Sequence, residues 1–422
     1  MPKKNAKIII ILIVSALILF GFIYYYFFLR NITPEIIPGI DETTGLFPSG
    51  EQGAPSGSGG TTGEISGTEN IPVPKYRKIS QKPMSGAVIT TTKDDERGYS
   101  IRYMDKATGH IYETWTKSMG QERISNTTIP KVYETLWNKS GDSFIVRYLD
   151  EGTENIISFY AKLIKKDDDT DIKTNIYSLD GSFLQKNISN ISVSDGGKNL
   201  FYVLNKKDSS SLIKSDFGTT GNVELLNSPL KEWLVEWFGS GYLLKTKPTY
   251  KTGGFIYQLN NGGNMTKLLG NINGLTTLGR NDGTALLYSE STDNSFNLFS
   301  FKTADRKIIK INKKTLPEKC VWSKKSKTII YCVVPNFIPS SQYPDDWYQG
   351  SVSFDDTVWI IDTEINLGSI IVDPNTYSEP SVDGINLILS EDENYLIFTN
   401  KKDYSLWGID LTPEPPYETT GD

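Results

Sequence analysis

A phrase of about ten residues recurs along this chain and constrains its folding more than any other feature. It reads WNKSGDSFIVRY from Trp137, VSDGGKNLFYV from Val193 and WFGSGYLLKT from Trp237. It returns as LGRNDGTALLYS from Leu278, WSKKSKTIIYCV from Trp322 and LSEDENYLIFTN from Leu389. Each copy is a large apolar anchor, a polar turn rich in Gly, Ser, Asn or Asp, and a β-rich run. The anchors are spaced by 56, 44, 41, 44 and 67 residues. A period of 40–50 residues built from short strands is that of a four-stranded propeller blade.

The strands within one period follow the same plan. In the unit starting near Gly274, LTTLG, TALLYSE, FNLFSFK and RKIIKIN read as first to fourth strands separated by Asn/Asp/Gly turns. WLVEWF, YLLKT, GFIYQLN and MTKLLG give the preceding unit, and no window carries a sustained helical apolar period. Third strands are expected at YSIRYMD, ENIISFYA (running on towards TNIYSLD), SLIKSDF, GFIYQLN, FNLFSFK, TVWIIDT and YSLWGID, which makes seven. The seventh is followed by TPEPPYETTGD instead of a fourth strand, and KYRKIS at 75–80 has the alternation to fill that place. Such closure leaves no open sheet edge between the termini. The expected fold is all-β, a seven-bladed propeller of four-stranded antiparallel blades over 75–411.

The phrase resembles the WD40-like repeat of TolB-type propellers, roughly W-S-P-D-G-x-x-I-A-F. WSKKSKTIIY and WNKSGDSFIV keep the Trp, the turn and the apolar pair, while VSDGGKNLFYV keeps Ser194, Asp195 and Gly196 but has Val193 for the Trp. The layout, with the YPDDWYQG insertion, also resembles uncharacterised membrane-anchored propellers of ultrasmall bacteria. The resemblance implies the fold and no particular activity.

Residues 8–29 form 22 consecutive uncharged positions, with the aromatics Tyr24–Phe28 crowding the C-terminal end before Leu29. A helix of that length rises about 33 Å, enough for a bilayer core. A small-residue cleavage site is missing after it, so an uncleaved signal anchor is expected. Lys3, Lys4 and Lys7 in the head at 1–7 outweigh Arg30 and predict a cytoplasmic N-terminus with an extracytoplasmic domain. Residues 31–74 hold nine Gly, six Pro, six acidic groups and no basic ones, as a flexible linker would (30–74 with Arg30). An acidic Pro-rich tail covers 412–422. Beyond residue 30 the chain carries forty basic and fifty acidic groups, which argues against nucleic acid as a partner.

Chemistry is sparsely signalled. His110 is the only histidine and no G-x-S-x-G elbow occurs, so it is read as structural, and a histidine-based metal centre is not expected. Asp167, Asp169 and Asp171 have calcium-loop spacing, but Ile172 stands where Gly belongs and Ser178 where the bidentate Glu belongs. That run reads as an acidic hairpin tip. Cys320 and Cys332 face each other across a hairpin turning at 324–327, compatible with a disulfide or with two buried thiols.

The widest anchor spacing contains PNFIPSSQYPDDWYQGSVSFDD at 335–356, and loops of that length are usually functional. Its Tyr343, Trp347, Tyr348 and Phe354 alternate with Asp345, Asp346, Asp355 and Asp356, which suits a protein hot spot or sugar stacking. The competing expectation is an ordered flap packed back on the rim. Function is thus expected at the level of class: a non-catalytic, cofactor-free binding or scaffold module for an envelope protein or cell-surface glycan. Alternatives are a carbohydrate-active enzyme using paired carboxylates and a structural subunit of an envelope or secretion complex.

Overall fold

The computed structural model describes residues 72–413, except 151, 154, 167–176, 219 and 378. The expected anchor at 8–29, nearly all of the linker, Asp167, Asp169 and Asp171, and the tail beyond 413 lie outside the described residues. Among the described residues no helix is long and apolar enough to cross a membrane.

Seven antiparallel sheets of four strands each follow one another. Blades 1 to 6 run over 84–125, 132–183, 188–228, 234–273, 277–310 and 320–372. Blade 7 takes three strands from 384–410, and its outermost strand is Tyr76–Lys78, paired with Trp407–Ile409. The ring is therefore closed by the segment expected to close it. One expected strand is misplaced: Gly98–Asp105 is the second strand of blade 1, and Ile111–Trp115 is the third. The first strand there runs eleven residues, Met84–Asp94, with a register shift between Ile89 and Lys93. No Trp-turn anchor marks its end, and alternation alone does not distinguish a second strand from a third.

The apolar faces of adjacent blades meet in seven clusters, one for each blade-to-blade junction. Sheet-on-sheet burial of this kind is what the period-2 patterning of every strand demands. The anchor tryptophans sit in these seams. Trp137, Trp237 and Trp322 donate their indole N–H to the carbonyls of Gly86 (3.3 Å), Ser192 (3.1 Å) and Leu278 (3.3 Å) on the preceding blade's first strand. One large ring thus fills the seam while its single polar atom is satisfied. In blade 5 the register puts Gly279, not Leu278, in the anchor slot. A Cβ there would approach Phe238 to 2.8 Å, so the neighbour's ring takes the space.

Antiparallel alternation puts all first-to-second hairpins on one face. The second-to-third loops and the blade connectors lie on the other. The repeated phrase builds the first face; the insertion at 335–356 belongs to the second.

Candidate functional site

The segment 336–355 folds back as a flap with one short helix, α1 (Asp345–Tyr348). Tyr343, Trp347 and Phe354 are 0–2 % exposed and pack with Phe296 and Leu316 into an eighth apolar cluster separate from the seven seams. Tyr343 and Phe354 stack at 5.8 Å, and Trp347 and Phe354 at 6.2 Å. Of these four aromatics only Tyr348 is exposed, and Phe337 near the start of the flap is exposed as well.

The loop acids act mainly as acceptors. Asp345 accepts from the Thr249 hydroxyl (3.0 Å) and the Tyr250 N–H (2.6 Å) of blade 4. Asp346 accepts from the Ser341 hydroxyl and from the Gln342 N–H at 2.8 Å, and these bonds lower its pKa. Asp355 pairs with Lys402 of blade 7 at 2.5 Å, which lowers its pKa too. Ser291 of blade 5 donates to the Tyr343 carbonyl. The flap therefore ties together the loops of blades 4, 5 and 7.

Beneath it lies a charged group that the sequence does not announce. Lys319, on a single 3-10 turn at Pro317–Lys319, has its side chain fully buried. Its ammonium reaches Asp356 at 2.7 Å, Asp383 at 2.5 Å and the Gly384 carbonyl at 3.1 Å. Asp383 also accepts from the Trp347 indole (2.9 Å) and the Phe354 N–H (3.1 Å). Two buried carboxylates share one ammonium. Burial outweighs the attraction of Lys319, and with repulsion from Asp383 it lifts the Asp356 carboxyl to about 6. Sequence reading passed over Lys319 and Asp383 because LPEK and SVDG look like ordinary turns.

Next to the flap, a cavity of about 490 Å³ lies along the axis of the ring. Leu136, Ile191, Val193, Leu234, Val235 and Leu275, from blades 2 to 4 and the approach to blade 5, supply its apolar wall. Its polar edge holds Lys245, Thr276, Glu318 and Tyr348. Lys245 is already paired with Glu236 at 2.8 Å. Glu318 accepts from the Thr276 hydroxyl at 2.8 Å and from the Tyr348 hydroxyl. Burial of that hydroxyl, followed by the charges of Glu318 and Asp345, holds the Tyr348 phenol well above its usual pKa, so it stays a donor. Among the described residues Glu318 is the one carboxylate lining this cavity. Sequence reading missed it because it sits in a connector with no motif.

The remaining candidates have local explanations. Cys320 and Cys332 are directly opposite in register and joined by a disulfide. His110 lies in a loop with Nε2 3.4 Å from the Thr128 hydroxyl, its pKa lowered by burial and by Arg123. Among the described residues no group of three or more His, Cys, Asp or Glu could hold a metal ion.

No family model matches the chain, and no curated protein matches it. Solved structures do. An oligogalacturonate lyase in complex with manganese is 9 % identical with a TM-score of 0.51, the match covering 80 % of this chain and 93 % of that one. The β-propeller domain of the trilobed protease from Pyrococcus furiosus is 12 % identical, TM-score 0.46, covering 78 % and 99 %. TolB from Acinetobacter baumannii is 9 % identical, TM-score 0.33, covering 77 % and 62 %. At these identities the likeness is one of fold: the class is the seven-bladed β-propeller.

Proposed function

We propose that this chain is a membrane-tethered, extracytoplasmic binding or scaffold module for an envelope protein or cell-surface glycan, working through the flap-bearing face. The observation that carries the reading is the cavity beside the flap, a preformed concavity that combines an apolar patch with convergent polar side chains, as ligand sites do. Rigid support for it comes from the buried Lys319 group and the eighth apolar cluster. The tether rests on the hydrophobic run 8–29 and the linker composition, and would raise the effective concentration near the membrane. The enzyme alternative would need paired acids about 5–10 Å apart; Glu318 alone among the described lining residues is acidic, which favours binding.

The test is crosslinking of the full chain in native membranes, then identification of attached partners. Phe337→Asp on the flap, where the side chain is 74 % exposed, should abolish the dominant crosslink, whereas Asp195→Ala on the opposite face should leave it intact. Equal crosslinking in all three forms, or none in any, would overturn the reading. Recovery of the chain in the soluble fraction would remove the tether from it.

A further inference from the structure

The chemistry around Glu318 narrows the ligand class. Its two oxygens are held by neutral hydroxyls, those of Thr276 and Tyr348, and no cationic side chain forms an ion pair with it among the described residues. The other charge on the cavity, Lys245, is neutralised by Glu236 at 2.8 Å and also points an N–H at the Thr277 carbonyl at 3.5 Å. The cavity edge is therefore left with one uncompensated negative charge. Beside it stands the Tyr348 ring, 44 % exposed although its hydroxyl is engaged. The rest of the wall is a patch of aliphatic side chains interspersed with the neutral polar residues Asn190, Ser192, Thr246 and Thr277.

A carboxylate beside an aromatic face, at one edge of an aliphatic patch, matches a cation on an apolar stem. The stem buries against Ile191, Val193, Leu234 and Leu275. The head gains a charge-assisted hydrogen bond and a cation–π contact. A volume of about 490 Å³ lies within the range of small-molecule sites. An anion would meet Glu318 without a free counter-charge, and a neutral sugar would offer hydrogen bonds but no opposite charge.

We infer that the axial cavity binds an organic cation, an alkylammonium or guanidinium group on an aliphatic stem, with Glu318 and the Tyr348 ring as its seat. This rests on the binding reading above and names the ligand for the same site. The cation could arrive as a free amine or as a lysine or arginine side chain of a partner.

The experiment is calorimetric titration of the full chain in detergent with pentylammonium and, as the neutral match, pentan-1-ol. Pentylammonium should bind at least tenfold more tightly. Glu318→Gln should weaken it tenfold or more, and Tyr348→Ala about threefold to thirtyfold, the range of cation–π energies. Tyr348→Phe keeps the ring and frees one carboxylate oxygen, so binding should be equal or tighter. Raising salt from 50 to 500 mM should weaken binding to the unaltered chain, a readout independent of any variant's folding. Pentane-1,5-diamine and a glycine-flanked blocked lysine peptide distinguish the two sources by which binds better. Equal affinity for amine and alcohol, or no effect of Glu318→Gln, overturns the proposal. If the amine fails while Phe337→Asp still abolishes the crosslink, the ligand class is wrong and the binding reading survives.

Discussion

The two faces of the ring use their charges differently. On the turn face, Lys324 reaches Glu391 at 3.0 Å, Lys139 reaches Glu391 at 3.3 Å and Asp195 at 3.9 Å, and Lys93 reaches Asp392 at 2.9 Å. All of these side chains keep a quarter or more of their surface in solvent. On the flap face, Lys319, Asp356 and Asp383 have none. Exposed pairs exchange one set of water contacts for another and contribute little. Buried charges have no such exchange, so they fix one arrangement or break it. The repeated face holds many weak, replaceable pairs, whereas the flap face adds one fully buried group to its own exposed pair of Asp355 and Lys402.

The turn face has its own exception. Gly141 and Gly197 adopt positive φ at the fourth position after the anchor, where glycine avoids a Cβ clash. Blade 7 has Glu393 there, at φ 53°. Its carboxylate offsets the strain by accepting from the Lys324 N–H (2.6 Å), the Lys325 N–H (2.7 Å) and the Ser323 hydroxyl of blade 6. A turn position became a clamp between blades.

The contrast breaks most directly at Lys319. Lys319→Met leaves two buried carboxylates unpaired and should destabilise the propeller by about 3–5 kcal/mol in urea unfolding. A loss under 1 kcal/mol would make the two faces equivalent. A somewhat smaller effect concerns pH. The Asp356 carboxyl sits at about 6 in the folded chain, above its unfolded value of 3.8, so between these values the folded state holds more protons. Stability from this group is therefore greatest below about pH 4 and falls by about 3 kcal/mol as pH rises past 6. Asp356→Asn should flatten that component of the urea midpoint between pH 4 and 7; identical slopes would refute it. The smallest effect is expected on the turn face, where Lys139→Ala should change stability by at most about 1 kcal/mol. A loss comparable to that of Lys319→Met would show that the turn-face charges are not replaceable.

Much of the ring was legible because its physics is local. Trp137 and Trp322 mark seams, the turns mark hairpins, and the alternation in KYRKIS marks a strand lacking a partner nearby. The long spacing before Leu389 marked the flap. What was not legible depends on neighbours far along the chain. Tyr343, Trp347 and Phe354 read equally well as exposed hot spots or as packed side chains; Phe296 and Leu316, remote in sequence, cover them. Asp356 looked like a loop acid and lies under the flap with Lys319, 37 residues away.

From sequence alone come the blade period, a count of seven that one misplaced strand did not alter, the closing strand and the position of the longest insertion in the repeat. Each follows from side-chain patterning over a few residues, and local patterning is set by backbone periodicity. Tertiary structure alone decided which of the loop's aromatics stay exposed, which carboxylates share Lys319, and that Glu318 faces the axial cavity without a cation. Burial and charge compensation are properties of the whole ring, since they depend on which blades meet around a residue.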